Sequence, residues 1–497
     1  GYSPELISPE LLKAQKEASE LLDDLTTRNQ SLILTTFVIA LIGESLESVD
    51  KAMEQLKTIM GKHMCQVRVL SLQQEAGFNS VLPLGRCDVY VDRLLTTDSA
   101  AIFIPFSTQE LTQKNGMYYG LNAVSKNLIL FNRKNSKNYN GVILGTPGSG
   151  KSFTAKREMV NVILNTNDDI YIVDPEREYL PLAKLLGGEV IKIAAGGKSY
   201  LNPMDMDINY GNDDDTKTDP IAMKCDFIGG LCETMSGDKR ALSANQKSIV
   251  DRCVRILYQE YMQHMAEVQK TNPEITCDMA YSPTLKDFYE LLLTQPEYES
   301  QSLALSLERF CIGSLDTFAH HTNVKKGNRF VVFDIKDIGE GMKELGLQVC
   351  LNTIWNQIIE NKKYGKYTWF YLDEFYLLTQ THSSAVYLQQ VYKRARKWWG
   401  IPTGITQNVG DLLESSEACA ILNNCDFILM LNQSPIDKQK LAAMLNISPT
   451  QLSYITNSDP GQGLIYTGKS IVPFVDKFPV NTELYKVMTT KPDEFLS

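Results

Sequence analysis

Gly145-Thr146-Pro147-Gly148-Ser149-Gly150-Lys151-Ser152 decides how this chain is read. The run fits the pattern G-x-x-x-x-G-K-[ST], and its surroundings fit too. The apolar stretch Val142-Ile143-Leu144 enters it as a strand, and Phe153 to Leu164 leaves it with Ala155, Met159, Val160 and Ile163 at helical spacing. Glycines let successive backbone N–H groups curl inward at the start of a helix, where the dipole favours anions. Gly145, Thr146, Pro147, Gly148, Ser149, Gly150 and Phe153 are therefore candidates for cradling nucleotide phosphates. Lys151 is placed to reach the β and γ phosphates and the Ser152 hydroxyl to ligate Mg²⁺.

A magnesium nucleotide needs a carboxylate at the tip of a neighbouring strand. Thr368-Trp369-Phe370-Tyr371-Leu372-Asp373-Glu374 supplies one, an apolar run that reads as a buried strand and ends in two acids. Asp373 is the candidate metal carboxylate. Glu374 is placed to polarise a water for attack on the γ phosphate, which points to hydrolysis of ATP.

Other strand tips fall on the same edge, where ligands of open α/β sheets bind. Asp174-Pro175-Glu176-Arg177-Glu178 follows the strand Ile170 to Asp174; an acid there could orient water, and a helix cap with Pro at the first position explains Asp174-Pro175 as well. Gln407, after Gly404-Ile405-Thr406, is a candidate γ-phosphate sensor. Lys393-Arg394-Ala395-Arg396-Lys397 holds more cations than capping a helix end requires, so Arg394 or Arg396 is a candidate arginine finger toward a neighbouring subunit. Trp398 and Trp399 read better as core than as a base-stacking surface.

With 497 residues, 43% hydrophobic and 22% charged, the chain can bury more than one core. The longest apolar region, Leu32 to Ile42, is interrupted by Thr35 and Thr36 and reads as a strand, not a membrane span. The opening Gly1-Tyr2, without Met, suggests a trimmed N-terminus. The 10 cysteines are scattered without a C-x-x-C pair and the 5 histidines lack ligand spacing, which predicts reduced structural thiols. A net charge of −10 disfavours a general nucleic-acid surface, although an assembled channel could still admit DNA.

The rhythm of the chain predicts an α/β fold in four stretches. Residues 1–110 read as a small α+β domain: a charged helix (Pro9 to Leu25), then a βαβ core of strand (Leu32 to Ile42), helix (Leu46 to Met60) and strand (Gln66 to Leu70). Residues 111–204 alternate strand and helix, 205–326 read as an all-helical insertion, and 327–497 resume the alternation and end in a hairpin.

The phosphate loop, the Asp174 to Glu178 tip, Leu201-Asn202-Pro203, Tyr371 to Glu374, Arg394 to Lys397, Thr406-Gln407 and Gly461-Gln462-Gly463 together resemble the conjugative ATPases of the HerA/FtsK superfamily. Within it the chain looks most like the VirB-four-type traffic ATPases of type IV secretion systems, in a Gram-positive conjugative element. The likeness covers nearly everything after residue 111, and the first hundred residues resemble the end of that family's N-terminal domain. It implies a RecA-like P-loop core with a helical lid, using ATP and Mg²⁺. It implies a hexameric or smaller ring of the chain with itself, partnered by channel and coupling proteins and lying peripherally at the cytoplasmic face of the cell membrane. Lys151, Ser152, Asp373, Glu374 and Gln407 fall on that family's nucleotide motifs. Two rival readings share the core: a DNA-translocating motor of the coupling-protein or HerA type, and a scaffold that binds nucleotide without turnover.

Overall fold

A computed structural model describes residues 9–27, 30–101, 103, 109–209, 212–213, 216–217, 219–237, 241–324 and 327–490. The chain divides into two compact units, Gly1–Ser107 and Thr108–Ser497.

The first unit carries helices α1 (Pro9–Thr27), α2 (Leu46–Lys62), α3 (Gln74–Val81) and α4 (Thr97–Ala101), with strands β1 (Leu32–Thr35) and β2 (Arg93–Thr96). Ser45 caps α2 by accepting the Ser48 N–H. The expected βαβ core is not formed. β1 pairs antiparallel with β2, Leu32 opposite Thr96, and residues 66–70 form no strand. The reason is burial: Val69 is 60% exposed and Leu34 66%, so among the described residues neither apolar run has a covering layer that would hold a parallel crossover.

The second unit is built on one sheet. Its elements in chain order are β3 (Met117–Asn122), β4 (Leu128–Phe131), β5 (Gly141–Leu144), α5 (Lys151–Asn165), β6 (Asp169–Asp174), α6 (Leu180–Leu185), β7 (Glu189–Lys192) and the short pair β8 (Asn212–Asp213) and β9 (Thr216–Lys217). The helical stretch α7 (Pro220–Ser236), α8 (Ala244–Thr271), α9 (Leu285–Thr294) and α10 (Tyr298–Cys311) follows. Then come β10 (Phe330–Asp334), α11 (Lys343–Lys363), β11 (Thr368–Asp373), α12 (His382–Ala395), β12 (Gly400–Thr406), α13 (Val409–Glu414), α14 (Ser416–Asn423), β13 (Phe427–Met430), α15 (Pro435–Leu445), α16 (Pro449–Leu452), β14 (Gln462–Tyr466), β15 (Ile471–Val475) and α17 (Glu483–Met488).

The sheet order is β4-β3-β15-β14-β13-β5-β12-β11-β6-β10-β7. From β13 to β7 every pairing is parallel; from β13 to β4 every pairing is antiparallel. The central strands are buried throughout, as parallel strands covered on both faces must be. Side chains alternate between two cores: Val142, Leu144, Phe370 and Leu372 face one, Ile143, Trp369 and Tyr371 the other.

The helices α7 to α10 extend the first of these cores. Asp219 with Pro220 starts α7 and Gly237 at φ 65° ends it, while capping boxes Ser243/Gln246 and Thr284/Asp287 open α8 and α9. The result is the α/β fold with the helical insertion that the sequence predicts, except that the stretch 205–326 also holds the short antiparallel pair β8 and β9. The strands β3 and β4, which add two more antiparallel members to the edge, are not anticipated by it.

Candidate functional site

The phosphate loop joins β5 to α5. Gly148 and Gly150 take φ of 75° and 96°, the left-handed region that glycine enters freely. At Gly145 a Cβ would stand 2.4 Å from Ser149 Oγ and 3.0 Å from Leu431 Cβ, so the turn closes only without one. Ser149 Oγ donates to Thr146 O (2.7 Å), the Thr146 N–H donates to Asn432 O (2.9 Å), and Lys151 Nζ donates to Thr146 O (3.2 Å). The loop is thus held by its own bonds and by Asn432, which follows β13.

Strand register aligns the other candidates with it. Thr406 lies opposite Leu144, and Asp373 opposite Ile405, so the three strand tips end on one edge. Lys151, Ser152, Asp373, Glu374 and Gln407 all line one cleft of 950 Å³ with Pro147, Gly148, Gly150 and Phe153. Gly145, Thr146 and Ser149 stand behind that lining.

Asp373 is 5% exposed; burial, with Glu178, Glu374 and Asp174 acting the same way, holds its carboxyl well above the usual range. Glu374 is also pushed up by burial, with Lys151 opposing. Its backbone is left-handed (φ 49°), its N–H donates to Asp373 Oδ1 (3.0 Å), and its Oε2 is buried with no hydrogen-bond partner. A strained residue holding an unpaired buried oxygen at a cleft wall is the arrangement expected of a group waiting for a proton donor. Burial lowers the Lys151 ammonium pKa, with Glu374 and Asp373 opposing.

The residues fit a magnesium nucleotide. The Ser152 hydroxyl and the Asp373 carboxylate are hard oxygen donors, and no group of three or more His, Cys, Asp or Glu among the described residues forms a metal cage. A cation held here would take its remaining ligands from phosphate and water.

The Asp174 to Glu178 tip divides its work. Asp174 accepts from the N–H groups of Glu176, Glu178 and Tyr179 and is fully buried, so it caps the loop. Arg177 pairs with Asp334 and Asp337, both at 2.6 Å. Glu176 and Glu178 line the cleft, and Glu178 Oε2 is buried without a partner.

Arg394 and Arg396 are not in this cleft. Arg394 Nη1 contacts Met223 Sδ at 2.9 Å, and Arg396 lies 6.0 Å over the Tyr139 ring. Trp398 packs edge-on against Trp355 at 6.5 Å, and Trp399 stacks on Tyr367 at 5.1 Å, so both are structural.

Sequence reasoning misses one cation and one wall. Lys343 lines the cleft, paired with Glu340 (2.8 Å) and Glu176 (3.1 Å). It opens the helix after β10, whose tip shares the phosphate-loop edge, and that position is the signal that could have found it. Phe478 and Tyr485, in the C-terminal arm, also line the cleft; no local pattern marks them.

Solved structures are similar to this chain to different degrees. The structure of VirB4 of Thermoanaerobacter pseudethanolicus is 24% identical, covers 78% of this chain and 100% of its own, and superposes with a TM-score of 0.64, a likeness of fold. The bacterial conjugative coupling protein TrwBdeltaN70 is 14% identical, covers 75% of this chain and 92% of its own, with a TM-score of 0.45. No curated protein matches the chain. The TraG P-loop domain matches residues 127–460, which hold the phosphate loop, the acidic strand tip, Gln407 and the whole helical insertion. The chain belongs to the TraG P-loop domain family.

Proposed function

We propose that the chain hydrolyses ATP with Mg²⁺ and that this turnover powers channel or pilus assembly and substrate transfer in a conjugative type IV secretion system. The carrying observation is Glu374: the residue lines the same cleft as Lys151 and Asp373, and its Oε2 is buried without a hydrogen-bond partner. Lys151 binds phosphate, and Ser152 and Asp373 hold the cation. Bound Mg²⁺ supplies neutralisation of phosphate charge. Glu374 takes the proton from the attacking water. The Gln407 side-chain amide contacts the terminal phosphate and reports its loss. A scaffold without turnover has no use for the unpaired acid.

Arg394 and Arg396 lie outside their own cleft, so an arginine finger from either acts on a neighbour, in a hexameric or smaller ring. The remaining partners are channel and coupling proteins at the cytoplasmic membrane face, where the chain is peripheral. Among the described residues no helix is long and apolar enough to cross a membrane.

The test is ATPase rate against protein concentration, with and without single- and double-stranded DNA, alongside mass by light scattering. A rate that rises with assembly and ignores DNA is expected. Strong stimulation by DNA would replace this reading with a DNA-translocating motor, and the absence of turnover in every assembly state would replace it with a scaffold.

A further inference from the structure

The cleft that holds the phosphate loop is also lined by the aromatic residues Phe153, Phe478 and Tyr485. In such a loop the lysine reaches the β and γ phosphates while the backbone N–H groups cradle α and β. The nucleoside therefore leaves the loop away from Lys151 and Glu374, past the first turn of α5, where Phe153 stands.

Phe153 lies 5.4 Å from Tyr485 and 6.0 Å from Phe478 between ring centroids, and the Phe478 and Tyr485 planes are within 19° of parallel. All three line the cleft and all three keep part of their surface exposed. Arg157 sits 4.5 Å over the Phe478 ring and is itself held by Asp476 at 3.1 Å, so the ring is fixed from behind. Phe153 and Phe478 also pack on the sheet's second core, which anchors the cluster beside the cleft.

We propose that this ring cluster receives the nucleobase by stacking, so that the C-terminal arm from Asp476 to Thr490 is the nucleoside wall of the site. The proposal rests on the nucleotide reading of the cleft. Recognition is through the base's π face, which every base offers, so adenine and guanine are held alike.

The experiment is calorimetric titration of the full chain with three Mg²⁺-loaded probes: ATP, GTP and inorganic tripolyphosphate. Tyr485→Leu keeps apolar bulk and removes the ring. It is expected to weaken ATP and GTP alike, by about 5- to 150-fold, the range measured for loss of one stacking partner. Tripolyphosphate affinity is expected to stay as in the parent. Unchanged ATP affinity in Tyr485→Leu, or a parallel loss of ATP and tripolyphosphate in a folded variant, overturns the proposal. Lys151→Ala separates the two levels: tripolyphosphate binding that survives it sinks the nucleotide reading itself. Saturation-transfer NMR on the parent chain needs no variant. Saturating protein aromatic protons should transfer to adenine H2 and H8 more strongly than to ribose protons, and transfer favouring the ribose places the base elsewhere.

Discussion

Glu374 should be costly to the fold and necessary to turnover, and the two can be measured apart. Its φ of 49° is left-handed, which costs a residue other than glycine about 1–2 kcal/mol. Its Oε2 is buried without a partner, which costs about 1–3 kcal/mol. Glu374→Gly removes both terms and adds glycine's backbone entropy, about 0.5–1 kcal/mol. The variant should therefore be more stable than the parent by roughly 1–4 kcal/mol in urea denaturation. Glu374→Gln keeps the side-chain shape and loses the base, so kcat should fall by about 10²–10⁴ while ATP still binds. That loss corresponds to about 2.7–5.4 kcal/mol of barrier. Turnover is read at saturating ATP, and binding by titration without turnover. A Glu374→Gln variant that keeps more than about a tenth of parental turnover refutes the assignment of the base. A Glu374→Gly variant less stable than the parent refutes the claim that the site stores strain.

Three further substitutions probe the frame around the site. Gly145→Ala puts a Cβ 2.4 Å from Ser149 Oγ, and overpacking should lower folding stability by about 1–3 kcal/mol in denaturation; a stability equal to the parent's would show the loop to be adaptable. Arg133 is fully buried, pairs with Glu158 at 3.2 Å and donates to Thr403 Oγ1 and Pro402 O. Arg133→Met should cost about 3–5 kcal/mol in denaturation. Part of that should be recovered when Glu158→Gln is added, which removes the charge and keeps an acceptor for the Tyr119 and Tyr371 hydroxyls; a cost that does not fall in the double variant contradicts the pairing account. Burial lowers the Lys156 pKa from 10.5 to about 8, with Glu178 opposing, and its Nζ donates to Met488 O. Between those two pH values the unfolded chain holds a proton that the folded chain has lost, so folding stability gains with rising pH, and below about pH 8 both states hold it. Any advantage of Lys156→Met over the parent should shrink across that window, and a pH-independent difference between the two refutes the shift.

Most of the second unit is legible because its burial is decided within short windows. Val142 to Leu144, Ile170 to Val173 and Trp369 to Leu372 are continuous apolar runs, and such runs in a chain of this rhythm are covered on both faces. The helices α7 to α10 carry their own caps, so their existence is local too. The first unit reads less well, since residues 66–70 alternate like a strand yet have no strand beside them. β3 and β4 escape for a related reason: they gain their place only by joining β15, far along the chain. The ring wall of the cleft is illegible in the same way, because Phe153 meets Phe478 and Tyr485 through tertiary contact alone.

Sheet register explains why the candidate residues separate as they do. β5, β12 and β11 are parallel neighbours, so residues that end them end on one edge, and the alignments Leu144 with Thr406 and Ile405 with Asp373 fix Gly145, Gln407 and Glu374 within one or two residues of a common line. A phosphate loop after one strand and an acid after the next but one are then sufficient to imply the cleft. The basic run obeys the same geometry with the opposite result. α12 follows the tip of β11 and must return to the start of β12 at Gly400, so its last residues lie at the sheet edge remote from the phosphate loop. Arg394 and Arg396 are therefore carried away from their own cleft by the connection that makes the sheet parallel, and catalysis by either requires a second chain to bring that far edge to the site.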